Sequence, residues 1–225
     1  MYLVNSNRVC FVHIPKNGGN TIQKYIISQP KQDIVLRERI YNNKLIQSYF
    51  NSHLTYSELN KKYGNDYDFS FAVIRNPYTR FLSIYRYLSN ERFLEMGCYI
   101  RSQITELFLS KSNPIDCLKF LSENNNNLFF SDRFGLTQCE FIKSNSGKKI
   151  DYLGLFENLP IFIDFILEKI NKKKSHIDYK KINSSGDKFN ELLSDTEYQK
   201  LITKLYSDDI ILYNKLKEKH DISRN

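Results

Sequence analysis

The chain has 225 residues, of which 41% are hydrophobic and 14% aromatic, enough apolar material to bury a core, which excludes a disordered chain. Its formal net charge of +8 favours anionic partners (phosphates, sulfates or acidic polymers) without choosing among them, since runs such as Lys172-Lys173-Lys174 also occur simply as solvated faces. Four widely spaced cysteines, Cys10, Cys98, Cys117 and Cys139, form no CxxC pair and read as reduced thiols, and no stretch approaches the ~20 apolar residues of a membrane span.

The N-terminal residues show no basic segment followed by an apolar run, so the chain reads as soluble and cytoplasmic. Arg8-Val9-Cys10-Phe11-Val12-His13-Ile14 is a short apolar run closed by Pro15 and a glycine pair, the pattern of a buried strand entering a turn. Ile22, Tyr25 and Ile26 then recur at helical spacing, with Asn20 or Thr21 placed to cap the helix start. Ile34 to Leu36 predicts a strand, and Tyr56 to Tyr63 a short helix ending at Gly64.

Asp68 to Ile74 predicts a second buried strand, broken by Arg75-Asn76-Pro77. Pro77 opens a helix whose apolar stripe is Phe81, Leu82, Tyr85 and Leu88. Cys98 to Leu121 is helical with a break at Pro114, and Asn124 to Asn127 is a polar loop. Asp151 to Phe156 predicts a strand, Pro160 to Ile170 an amphipathic helix, Lys180 to Lys188 a loop, and Asp195 to Lys219 two helices. No repeat or linker interrupts the series, so residues 1–225 are expected to form a single α/β domain, a parallel sheet flanked by helices, with a central helical insertion at about 98–141.

Two segments carry chemistry. Pro15-Lys16-Asn17-Gly18-Gly19-Asn20-Thr21 lies between a strand and a helix, where small residues let backbone N–H groups converge on an anion and Lys16, Asn20 and Thr21 add a charge and donors. It is not a Walker A loop, because Lys16 precedes both glycines; alone, it also fits an ordinary tight turn with an exposed lysine. Arg75 at a strand end, with Arg80 between it and Ser83 in the following helix, suits a clamp on one phosphate. By spacing alone, Arg75 paired with a carboxylate and Ser83 as a small packing residue fit equally.

Together these segments resemble the signature pair of the sulfotransferases that use 3′-phosphoadenosine 5′-phosphosulfate (PAPS), specifically the carbohydrate-directed sulfotransferase family 2 type. In that family a strand ending in H-I-P-K-[TS]-G-G-[TS] makes the 5′-phosphosulfate loop, matched by His13-Ile14-Pro15-Lys16-Asn17-Gly18-Gly19-Asn20. A later strand ending in R-[DN]-P-x-x-R-x-x-S-x-Y makes the 3′-phosphate site, matched by Arg75-Asn76-Pro77-Tyr78-Thr79-Arg80-Phe81-Leu82-Ser83-Ile84-Tyr85. Phe156-Glu157-Asn158-Leu159 resembles the family's late E-N-L element, and Lys181-Ile182-Asn183-Ser184-Ser185 its loop near the cofactor. Asn17 and Asn20 stand where Thr or Ser is usual.

The resemblance implies a P-loop-like fold with PAPS at the C-terminal ends of the first strands, leaving adenosine 3′,5′-bisphosphate after transfer. Lys16 would contact the bridging or sulfuryl oxygens, and Asn17, Gly18, Gly19, Asn20 and Thr21 would line the 5′ site. Arg75 and Ser83 would bind the 3′-phosphate, with Asn183 and Ser184 close to the cofactor. The family pattern implies no metal, and the acceptor is expected to be a hydroxyl on a glycan or glycolipid, chosen by the central segment, with no nucleic-acid partner. Glu157, just before a helix, reads as structural.

The acceptor hydroxyl needs a base, and His53, in Asn51-Ser52-His53-Leu54-Thr55, is the leading candidate because an imidazole titrates near working pH. It precedes the second motif's strand by a short helix, as the catalytic histidine does in the family's uronyl-type members. A carboxylate base is the alternative, Glu38 and Glu58 being nearest in sequence. His13 reads as structural or supporting, and His176 and His220 as surface residues. Two other functions fit less well: a small-molecule P-loop kinase lacks the Lys-Ser/Thr pair and a strand-end Asp for magnesium, and a polyanion-binding module lacks interleaved basic and aromatic residues.

Overall fold

Strands of a parallel sheet covered on both faces are buried along their whole length, and the two strands beside the motifs meet that condition. In β2 (Asn7–Val12) residues 9–12 are all buried, and in β4 (Phe69–Ile74) every residue after Phe69 is buried. The computed structural model describes residues 2–4, 7–22, 35–36, 53–64, 67–91, 94, 99–123, 127–145, 147–171 and 189–222. With β1 (Tyr2–Val4), β3 (Val35–Leu36) and β5 (Tyr152–Leu155), the strands form one sheet in the order β3-β1-β2-β4-β5.

The sheet is parallel where the motifs leave it. β4 pairs parallel with β2, setting Phe11 opposite Phe71, and parallel with β5, setting Ile74 opposite Leu155. Its other edge is antiparallel: β1 pairs with β2 and with β3. The expected parallel sheet therefore stands over β2, β4 and β5, and β1 and then β3 extend it antiparallel on the β2 side. Ser70 fixes the register of β5, donating from N and Oγ to Asp151 Oδ2 at 2.8 and 2.6 Å and accepting from Asp151 N at 3.0 Å.

The chain divides into two compact units, Met1–Arg75 with Gln138–Ser184 and Lys215–Asn225, and Asn76–Thr137 with Ser185–Asn214. In the first, the helix over Leu159–Asn171 lays Phe162, Ile163, Ile166 and Leu167 on Val9, Phe11, Phe71 and Val73 of the sheet. Gly154 makes that approach possible, since a Cβ there would lie 2.2 Å from the Phe162 ring. A short helix over Tyr56–Tyr63 starts at a capping box: Thr55 N and Oγ1 donate to Glu58 Oε2 at 2.7 and 2.9 Å, and Glu58 N donates to Thr55 Oγ1 at 3.3 Å. Glu58 thus serves the helix start.

The second unit is helical. Asn76 caps the helix over Pro77–Leu88 by accepting from Tyr78 N at 2.9 Å, and Pro77 occupies its first turn, where a missing N–H costs nothing. Phe81, Leu82, Ile84, Tyr85 and Leu88 pack with Ile104 and Phe108 from Tyr99–Leu109, Leu118 and Leu121 from Pro114–Glu123, and Tyr198 and Ile202 from Thr196–Leu205. Arg80 is held inside this unit, donating to Leu136 O at 3.0 Å and lying 3.9 Å from the buried Asp209 carboxylate. The unit runs over Asn76–Thr137 and takes in Ser185–Asn214, while Gln138–Phe141 belong to the first unit. Two helices end the chain as expected, Thr196–Leu205 and Ser207–Ile222.

Asn127, expected in a loop, instead opens a short helix to Ser131. Ile34, Cys98, Asn124 and the loop at 180–188 lie outside the described residues. No described helix is long and apolar enough to cross a membrane.

Candidate active site

The loop after β2 is shaped by two left-handed residues. Lys16 has φ 68° and Gly18 φ 80°, on either side of Asn17, and helical residues begin at 19. Ile14 N donates to Val12 O at 3.1 Å and Asn17 N to Ile14 O at 3.3 Å, while Thr21 N and Ile22 N both donate to Gly18 O, at 3.0 and 3.1 Å. A loop that alternates hand in this way is the backbone arrangement of an anion nest, and it runs straight into a helix N-terminus, whose first N–H groups have no partner in their own helix. Glycine suits position 18, but Lys16 in the same region costs about 1–2 kcal/mol.

Arg75 holds Lys16 there. At the exit of β4, its guanidinium donates from Nη1 to Lys16 O at 2.9 Å and lies 4.3 Å above the Phe156 ring. Phe156 also bounds the loop, because a Cβ on Gly18 would sit 3.1 Å from its ring and 3.0 Å from Leu159. The late F-E-N-L element therefore supplies a wall to both motifs. Glu157 itself is exposed.

Position 17 faces inward. Asn17 is buried, and its Nδ2 donates to Val73 O and to Gln138 Oε1, each at 2.6 Å. The amide nitrogen is thus spent on β4 and on the short helix over Gln138–Ile142, while Oδ1 is buried without a partner and the main-chain N–H donates to Ile14 O. Gly19 is fixed by sterics: a Cβ there would lie 1.9 Å from His13 Nε2. Asn20 is exposed at the helix start, with Thr21 half-buried beside it.

His53 is brought to the same strand exit. Its Nδ1 lies 2.8 Å from the His13 carbonyl, and since a carbonyl only accepts, Nδ1 carries the proton. The lone pair of the neutral ring is therefore on Nε2. The His13 and His53 rings meet at 4.4 Å, tilted by 59°, and His13 stacks on Phe11 at 5.4 Å. Burial, and secondarily His53, hold the His13 pKa well below the usual histidine value, and His13 Nδ1 is buried without a partner. His13 is a neutral, structural ring.

The structure thus gathers Lys16, Gly18, Gly19, Arg75 and His53 around one loop, with Asn17 beneath it. Ser83 is buried on the helix over Pro77–Leu88, in the second unit. Asn183, Ser184, Glu38 and His176 lie outside the described residues, and His220 is in the last helix. Among the described residues no group of three or more His, Cys, Asp or Glu could hold a metal ion. Sequence reasoning passed over Gln138: a lone glutamine in a five-residue helix carries no motif or period that would mark it.

Comparison with known proteins gives one family. The family model described as "Sulfotransferase family" matches residues 2–215. No curated protein and no solved structure matches the chain.

Proposed function

The chain belongs to the sulfotransferase family and is an enzyme of sulfuryl transfer, and we propose that its donor is PAPS and its acceptor a carbohydrate hydroxyl. The observation that carries this reading is the hydrogen bond from Arg75 to the Lys16 carbonyl, which joins two strand exits and their cations around one nest. A nucleotide with phosphate at both ends needs such a pair. The loop fits its 5′ end: the left-handed backbone at 16 and 18 suits an anion nest, and glycine at 18 and 19 lets the loop pack directly on Phe156, Leu159 and His13.

PAPS supplies an activated sulfuryl group on a phosphate leaving group. The main-chain N–H groups of Gly18 and Gly19, with Asn20 and the Thr21 hydroxyl at the helix start, hold the 5′-phosphate in this reading, and Asn17 shapes the loop, its N–H donating to Ile14 O. Lys16 offsets charge developing on the leaving oxygen. Arg75 takes the 3′-phosphate in this reading, a planar guanidinium being the group whose geometry suits phosphate oxygens. Ser83 joins the 3′ site through the motif alone, and Asn183 and Ser184 join the cofactor loop in the same way. His53, oriented by His13 O, accepts the acceptor's proton at Nε2.

These roles ask nothing of a metal. The carbohydrate acceptor is supported by the likeness of both motifs to carbohydrate-directed members of the family and by the histidine base. The test is to incubate the protein with PAPS or ATP and a panel of neutral and uronic-acid glycans, with and without EDTA, and read acceptor mass. One sulfuryl group gained from PAPS, unaffected by EDTA, is expected. Phosphoryl gain from ATP that EDTA abolishes would establish the kinase alternative instead.

A further inference from the structure

We infer that Gln138 is a positioning residue for the donor nucleotide, one amide that fixes Lys16 and Arg75 relative to each other. This rests on the PAPS reading of the loop. Gln138 is fully buried, and an amide so placed is costly unless its polar atoms are bonded. Its Oε1 accepts from Arg75 N at 2.8 Å and from Asn17 Nδ2 at 2.6 Å, and its Nε2 donates to Arg75 O at 2.9 Å.

Arg75 lies one residue past Ile74, the last residue of β4 paired to β5. By engaging both the N–H and the C=O of Arg75, the Gln138 side chain does what a neighbouring strand does further back, and holds the main chain where the guanidinium must start. The contacts then close a ring. Arg75 Nη1 returns to Lys16 O, Lys16 is bonded to Asn17, and Asn17 returns to Gln138. Phe156 under the guanidinium completes the support.

The ring also accounts for asparagine at 17. A Ser or Thr hydroxyl has one proton to give, whereas the Asn17 amide gives one to Val73 O and one to Gln138. Asn17 and Gln138 are therefore a matched pair. A residue needed only to fill space at 138 would be better apolar, since packing there is already supplied by the neighbouring buried Phe141.

The test uses Gln138→Met, which keeps volume and loses all three hydrogen bonds, and Gln138→Glu. Affinity for adenosine 3′,5′-bisphosphate is measured by calorimetry, beside the melting temperature of the unliganded protein. Gln138→Met is expected to bind at least about tenfold more weakly, the scale of losing hydrogen bonds that orient a charged group. Gln138→Glu reads the same role through pH. Its neutral acid keeps one donor and an acceptor oxygen, enough for the one bond Gln138 donates and the two it accepts, while its carboxylate has no donor and brings a buried charge. Its affinity, taken as a ratio to wild type at each pH, is expected to recover as pH falls.

Wild-type affinity in a folded Gln138→Met variant would overturn the inference and leave the PAPS reading standing. Should the Met variant not fold, a flat Gln138→Glu ratio across pH would overturn it. No binding of the nucleotide by wild type would instead overturn the PAPS reading beneath it.

Discussion

Replacing His53 by Ala is expected to lower turnover by about 10²-fold or more while leaving affinity for adenosine 3′,5′-bisphosphate within about twofold of wild type, because a general base acts on the acceptor and not on the nucleotide. The geometry behind this is the Nδ1 hydrogen bond to His13 O, which settles the tautomer and leaves Nε2 as the basic atom. The tilted His13 ring at 4.4 Å holds the His53 plane, and is itself kept neutral by burial. His53→Gln should fare no better, since an amide cannot take up a proton. Turnover undiminished in both variants would move the base to another residue. Glu58 is poorly suited, its carboxylate being bonded to Thr55 at the start of a helix.

Lys16→Met is the second large effect. It keeps the aliphatic stem and the backbone demand at φ 68° and removes only the ammonium. If Lys16 meets charge that grows in the transition state, its loss costs about 10²–10³-fold in kcat, the scale found when one preorganised electrostatic partner is removed, with a smaller change in nucleotide affinity. Single-turnover rates and calorimetry on the same variant separate the two. A variant whose affinity collapsed while kcat held would show that Lys16 binds the ground state only.

Much of the fold, and the placing of the two motifs at strand exits, is legible in the amino-acid sequence, and for a physical reason. Central parallel strands are buried on both faces, so Val9 to Val12 and Phe71 to Ile74 have to be apolar runs, and the loops that leave them have to carry the polar residues. Helix starts are marked by Asn76 with Pro77 and by Asp195, both of which cap as their residue types suggest. Family membership is shown by the family model that matches residues 2–215, a span that includes both exits.

The features that escape a reading of the sequence are set by contacts distant along the chain. Tyr2–Val4 is too short to show a period, and becomes a strand only because β2 and β3 offer ladders on either side. Gln138 is 63 positions from Arg75 and 121 from Asn17, so nothing local distinguishes it from a surface glutamine. The inward turn of the Asn17 side chain is invisible for the same reason: a donor in a glycine loop suits a ligand and a neighbouring strand equally well. The division into two units likewise follows the packing of residues 76–137 with residues 185–214, which composition does not announce.

Lys16 and Arg75 are proposed to serve opposite ends of one nucleotide. Titrating wild type and Arg75→Ala with adenosine 3′,5′-bisphosphate and with adenosine 5′-monophosphate, which differ only in the 3′-phosphate, tests that directly. Wild type is expected to prefer the bisphosphate by about tenfold or more, as charge-assisted hydrogen bonds to one phosphate allow, and Arg75→Ala to lose most of the preference. Equal affinity of wild type for the two nucleotides, or a preference that Arg75→Ala leaves untouched, would contradict it.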